Sequence, residues 1–209
     1  MIDIFDKVEI DLNDLTCHSG GAVGTDSYFE SIGEEFGVKT NAYSYKTKYH
    51  NSPNKVEISE EDYLEGVEMI KIANKTLNRY GISKFMNLLA RNWIQVKYSK
   101  QVFAIGSIIE PSKKCSKGFY NKSKHQIVSG GTGYAVQMAI DNSREVFVFD
   151  QSKEKWHKWC YNSLVFKELN YIPKITCQDF AGIGTREIKE SGILAIKELF
   201  TKTFNKTSI

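Results

Sequence analysis

The sequence predicts one α/β domain, a mostly parallel sheet sandwiched between two layers of helices, with a β-hairpin attached. Three observations predict it. Near-continuous apolar runs, QVFAIGSII (101–109) and EVFVFD (145–150), have the composition of strands buried on both faces. Segments with apolar residues at helical spacing alternate with such runs. Three glycine turns, SGGAVGTD (19–26), SGGTGYA (129–135) and AGIGTRE (181–187), each join a strand to a helix start. A chain of 209 residues can bury one sizeable core, so 1–209 is read as a single domain.

The elements follow in order. KVEIDLNDLTCHSGG (7–21) is an extended lead into the first turn, and Tyr28, Phe29, Ile32 and Phe36 mark a helix with Gly37 as its C-cap. A strand over 38–43 completes that unit. YSYKTKYHNSPNK (43–55) is irregular. Ser59 opens a capping box before a helix expected to end at Gly81, and Ser83 starts a second helix with one strongly apolar face. The run 101–109 is the next strand, and 111–126 is a basic, turn-rich loop. IVSGGTG, the helix YAVQMAID and the strand EVFVFD repeat the pattern. Residues 151–172 read as a hairpin carrying Trp156 and Trp159. Residues 178–204 form a last strand, turn and amphipathic helix.

Composition excludes several classes. No apolar run is long enough to span a bilayer, and MIDIFDKVEI lacks the layout of a signal peptide. Cys17, Cys115, Cys160 and Cys177 are scattered without CxxC spacing, so a reducing cytoplasm is the expected setting and no metal site is assigned. The net charge of +3 suits a binder of small anions better than a protein that wraps nucleic acid. No turn carries the GxxxxGK[ST] of a P-loop or a GxGxxG with an acidic residue about twenty positions later, which disfavours an NTPase and a dinucleotide dehydrogenase.

Glycine at the turns lets the backbone bend sharply and admits a ligand without a Cβ in the way. Amides at a helix start, with the helix dipole, favour a phosphate. The alternative at any one turn is a plain tight connection.

At this point the motifs resemble the SLOG superfamily of Rossmann-like domains. That group includes the lonely-guy phosphoribohydrolases, the DNA-processing protein A family and ligand-sensing domains of anti-phage systems. SGGAVGTDSYFE is similar to the family's SGGAxGAD turn, and ARNWIQVKYSKQVFAIG (90–106) to its Arg-Asn helix and following strand. SGGTGYAVQMA with REVFVFD is similar to the GGxGT loop, helix and strand. FAGIGTREIKESGILAIKELF resembles the GSR-type turn that usually opens the domain. Here it lies near the C-terminus, which implies a circular permutation with Phe180–Gly184 in the sheet beside the N-terminal strand. Residues 182–187 and 19–26 are then expected to line one pocket.

Phosphoribohydrolases of the superfamily use a PGGxGTxxE loop. Laid on this chain, the Glu position falls on Gln137 in one register and Ala135 in the other. Neither supplies the charge or the general base that glycosidic cleavage needs. The ligand-binding set is Ser19, Gly20, Gly21, Ala22, Gly24, Thr25, Asp26, Arg91, Asn92, Gly130, Gly131, Thr132, Gly133, Tyr134, Gly182, Gly184, Thr185 and Arg186, with no catalytic residue and no cofactor. Arg186 follows the third turn, where a bidentate phosphate contact is natural. The resemblance implies that Arg91 and Asn92 face the ligand. Asp26 is read as a helix cap or a ligand contact, Glu30 as a solvated helix face, and Glu187 as an acid within reach of a ribose. His18 is read as structural and Cys17 as packing.

The loop YSYKTKYH (43–50) is a candidate cover, with Tyr43, Tyr45 or Tyr49 against a base and Lys46 or Lys48 on phosphate; the alternative is a plain exposed loop. Trp156 and Trp159 share a face only if their strand is bulged, and a core or oligomer contact is expected instead.

The expected function is capture of a nucleotide-derived small molecule, an ADP-ribose-type or cyclic nucleotide, by a standalone binder, a sensor or a viral anti-defence sponge. The alternative is a phosphoribohydrolase or N-glycosidase acting on nucleoside monophosphates or NAD-like compounds. A DNA-binding accessory is disfavoured by the charge. The expected partners are the small molecule and a second copy of the chain, through the apolar helix face 83–98, with no membrane.

Overall fold

A computed structural model of the chain describes residues 11–48, 50–115 and 118–205. The strands are β1 (Thr16–Ser19), β2 (Lys39–Ser44), β3 (Lys55–Glu57), β4 (Gln101–Gly106), β5 (Ile108–Ile109), β6 (Ile127–Val128), β7 (Glu145–Asp150), β8 (Lys155–Cys160), β9 (Val165–Glu168) and β10 (Asp179–Gly184). The helices are α1 (Thr25–Glu35), α2 (Glu60–Leu77), α3 (Met86–Lys97), α4 (Thr132–Asp141) and α5 (Glu190–Thr203). An eight-stranded sheet runs β3-β2-β1-β10-β4-β7-β8-β9, parallel from β3 to β7 and antiparallel across the β8–β9 hairpin. The expected α/β sandwich with a hairpin elaboration is therefore what forms.

The sheet is buried because both faces are apolar. Along β4, Val102 and Ala104 face one core while Phe103 and Ile105 face the other. Helices α2, α3 and α4 cover the first side, and α1 and α5 the second. The second core is aromatic: Phe103 stacks on Phe147 at 5.1 Å, and Phe180 meets Phe200 edge-on. Burying each such ring contributes about 1.5–3 kcal/mol.

The last strand inserts beside the first. Cys17 is in register with Phe180 and His18 with Ala181, in parallel pairing, as the order of motifs led us to expect. The chain leaves β1 through α1 toward β2, and leaves β4 through α4 toward β7 on the opposite side. The switch in direction falls at β1, β10 and β4. In open α/β sheets, ligands bind in the crevice outside the strand ends at such a point.

Several local expectations change. Helix α2 ends at Asn78, in the left-handed region at φ 49°, while Gly81 opens a 3-10 turn over Ile82–Phe85. The run 101–109 breaks at Ser107, and β5 leaves the main sheet to pair antiparallel with β6. The second glycine turn is thus reached from a small ribbon. Trp156 and Trp159 lie on opposite faces of an unbulged strand, each in a core. The apolar face of α3 is packed against α2 and α4, so it is not a free surface for a second copy. Glu30 is not solvated; it is buried and accepts from Asn54 Nδ2 at 2.8 Å and from Ser52. Among the described residues no helix is long and apolar enough to cross a membrane.

Candidate functional site

The first and third glycine turns are joined by their own backbones. Thr25 donates from both N and Oγ1 to the Thr185 carbonyl, at 3.1 and 2.8 Å. Gly24 has φ 105°, and a Cβ there would stand 2.5 Å from the Arg186 carbonyl oxygen. Only glycine allows the two turns to approach so closely. Gly182 lies inside β10 against Phe29, and Gly184 ends that strand.

Asp26 occupies the centre of this junction. Its Oδ1 accepts from Gly184 N at 3.2 Å, and Ala22 N also donates to the carboxylate. Its Oδ2 faces Arg91 Nη1 at 3.4 Å, and Arg91 also donates to Gln95 Oε1 at 3.2 Å. Both charged groups are almost wholly buried. Burial pushes the Asp26 carboxyl upward, against the pull of Arg91 and the two amides. Burial likewise lowers Arg91, which Asp26 opposes. Ser19 closes the first turn by donating to the Asp26 carbonyl. The amides of Ala22 and Gly184 thus meet a carboxylate that the chain itself supplies.

The neighbouring Asn92 reaches the other way, its Nδ2 lying 3.5 Å from the Gly131 carbonyl. One turn of α3 therefore bridges the first and second glycine turns. Arg79, which the sequence did not single out, clamps the second turn with Nη1 on the Gly130 carbonyl and Nη2 on that of Val128, each at 2.6 Å. Its guanidinium also lies over the ring of Tyr134, whose hydroxyl donates to Asn74 Oδ1 at 2.6 Å. Tyr134 is thereby a core residue, 2% exposed. Thr132 starts α4 and is also buried. Gly133 packs so tightly that a Cβ would sit 2.1 Å from the Val128 carbonyl oxygen. Gln137 points along α4 and donates to Asp141 Oδ1 at 2.8 Å.

A cleft of about 230 Å³ opens on the other side of β10, over the ends of β4, β7 and β10. It is lined by Gly106, Ser107, Ser129, Gln151, Ser152, Thr185, Glu187, Ile188 and Lys189. Of the sequence-expected set only Thr185 lines it. The first and third turns are neighbours, as expected, but only the third reaches this cavity, through Thr185 and Glu187; the first packs against the third instead. Gln151 shapes the cleft: its Oε1 accepts from Lys189 N at 2.6 Å, and its carbonyl accepts from Lys189 Nζ at 3.1 Å. Lys189 is the N-cap residue of α5, so the positive end of that helix meets the cleft. Ser107, Gln151 and Ser152 follow directly on the ends of β4 and β7. The polar residues just past each apolar run were the signal that could have found them.

The loop after β2 does fold over the first turn. His50 Nε2–H donates to the Gly20 carbonyl at 3.0 Å, while Ser52 and Asn54 tie the loop to Glu30. Arg186 is exposed and does not line the cleft, and it is near enough to Arg91 for their charges to oppose each other. Tyr45 is half-buried, Lys46 and Lys48 are exposed, and Tyr49 lies outside the described residues. Tyr43 is not at the surface: it is buried, stacked on His18. Cys17 is buried too, its thiol pushed up by burial. Among the described residues no group of three His, Cys, Asp or Glu could hold a metal ion. In comparison with known proteins, the chain matches no family model, no curated protein and no solved structure.

Proposed function

We propose that the chain binds and holds a phosphorylated, nucleotide-derived small molecule at the crevice over β4, β7 and β10. The carrying observation is the cleft lining: four hydroxyls, Lys189 and the start of α5, gathered at the direction switch of the sheet. Hydroxyls, an ammonium and a helix start suit a phosphate oxygen cluster. The volume suits a phosphate with a sugar, since whole drug-sized ligands fill roughly 300–1,000 Å³. The motif resemblance points the same way, toward an ADP-ribose-type or cyclic nucleotide. Holding without turnover is favoured because Gln137 is engaged with Asp141 along α4.

Mass spectrometry of small molecules released by heat from the purified protein tests this. An intact phosphorylated nucleoside derivative is expected, with a thermal shift when it is added back. Absence of any retained molecule, with no shift from phosphate, AMP, ADP-ribose or cyclic dinucleotides, would refute it.

One observation favours a second reading, an N-glycosidase. Glu187 is the only carboxylate among the residues lining the cleft. Release of free base from nucleoside monophosphates or NAD, abolished by Glu187→Gln, would establish hydrolysis and displace the binder.

A further inference from the structure

Charge is unevenly placed along this chain. Glu110 is the only acidic residue between Glu68 and Asp141, a stretch that holds twelve of the lysines and arginines. The rest of the chain is therefore acidic, and the overall +3 conceals a strongly basic segment. Glu110 itself accepts from Gln126 Nε2 at 2.8 Å.

The fold gathers part of that segment into one outward stripe. The loop after β5 doubles back on itself, with Lys114 bridged to Tyr120 and Asn121 N donating to the Lys113 carbonyl at 2.8 Å. Side chains opposite each other in such a pair share a face. Beyond the bridge burial alternates: Asn121 and Ser123 are buried, while Tyr120, Lys122 and Lys124 are exposed. Asn121 locks the loop, its Nδ2 donating to the carbonyls of Ile109 and His125, each at 2.8 Å. Lys122 Nζ lies 4.9 Å from the centre of the Tyr80 ring, which joins the connector after α2 to the stripe. Tyr80 is 78% exposed and Tyr120 47%.

We propose that this stripe binds single-stranded nucleic acid, with bases stacked on Tyr80 and Tyr120 and phosphates on Lys114, Lys122 and Lys124. Exposed aromatic rings interleaved with ammonium groups have that chemistry: every base offers a π-face, and the backbone between bases carries the charge. A duplex hides its base faces in the stack, so only an open strand uses both kinds of group. A lipid surface takes up aliphatic side chains, and the stripe has none. Protein interfaces are depleted in lysine. Because Asn121 orders the loop in the free chain, little ordering is left to oppose binding. None of these residues lines the cleft, so the assignment does not depend on the small-molecule site.

Fluorescence anisotropy of the full chain with a labelled strand of about twelve nucleotides, as DNA, as RNA and as duplex, tests the assignment. At about 50 mM salt either single strand is expected to bind at least about fivefold more tightly than the duplex. The logarithm of affinity should fall against that of salt with a slope of about −2, for three phosphate contacts, and Lys124→Gln should reduce the slope by about 0.7. Tyr80→Ala and Tyr120→Ala should each weaken binding about fivefold or more, with Tyr80→Phe near native. Excess AMP should leave binding unchanged. Absence of binding at low salt overturns the assignment, as does tighter binding of the duplex or an unchanged affinity in both alanine variants. Displacement by AMP overturns it too, since the strand would then occupy the cleft. Sedimentation with phosphatidylserine vesicles, in place of strand binding, would give the stripe to a membrane instead.

Discussion

The carboxylate of Asp26 lies 3.4 Å from the guanidinium of Arg91, and its second oxygen accepts from the amide of Gly184. This one side chain ties the first glycine turn, the third glycine turn and helix α3 together. Asn92, next in the chain, continues the link to the second turn. Turns separated by more than a hundred residues in sequence thereby share one small volume.

Breaking that pair leaves a buried charge uncompensated, which costs about 3–5 kcal/mol. Arg91→Met is expected to lower the urea-unfolding free energy by that amount. Asp26→Asn combined with Arg91→Met is expected to cost less than the two single changes summed, because the partners are coupled. A loss below about 1 kcal/mol for Arg91→Met would show that the pair is not holding the turns together.

Three alanine substitutions at glycine separate crowding from backbone preference. Gly133→Ala drives a Cβ into the Val128 carbonyl, and Gly24→Ala into the Arg186 backbone at an unfavourable φ. Gly37 also has a positive φ, but a Cβ there meets nothing within 4 Å. Gly37→Ala is expected to cost about 1–2 kcal/mol, the left-handed penalty alone. The two crowded sites add about 1–3 kcal/mol of overpacking to any backbone term. Equal midpoints for all three in thermal denaturation would contradict the crowding.

Arg79 grips two carbonyls with a planar fork that a lysine cannot reproduce. Arg79→Lys is expected to destabilise the fold by about 1.5–3 kcal/mol. Hydrogen exchange of the 129–134 amides should quicken more than exchange in α1. Protection unchanged over 129–134 would show that the clamp does not order the turn.

Acid should weaken the fold through His18. Burial lowers its pKa below the ordinary 6.5, against the pull of Asp179. The neutral ring donates from Nε2 to Asp179 Oδ1 and accepts at Nδ1 from the Tyr43 hydroxyl, both at 3.0 Å. Tyr43 is kept protonated as that donor, its phenol pushed up chiefly by burial. The unfolded chain therefore takes up a proton that the folded chain resists. Stability from His18 is complete above pH 6.5 and is lost as pH falls from there toward the folded value, with a slope of at most about 1.4 kcal/mol per pH unit. Urea midpoints between pH 7.5 and 5 check this, and His18→Gln should flatten the decline. An unchanged slope in that variant would assign the acid sensitivity elsewhere.

The α/β class and the order of most elements were legible in the sequence, whereas the pairing of β10 with β1 was expected only from the family resemblance. The reasons are local: apolar runs such as EVFVFD suit only a doubly covered strand, and Ser59 caps α2 through one hydrogen bond three residues on. The glycine turns were equally visible, since tight approach and positive φ demand that residue. Other features were decided only by tertiary packing. Glu30 and Tyr134 are surface-compatible types by composition, yet the loop at 52–54 and the Arg79–Asn74 pair bury them. Arg79 and Gln151 act through backbone carbonyls and amides far away in sequence, and no local pattern records those partners. The cleft itself is the space left when β4, β7 and β10 end side by side. A sequence states which strands are apolar, but the void beyond their ends exists only once their register is set.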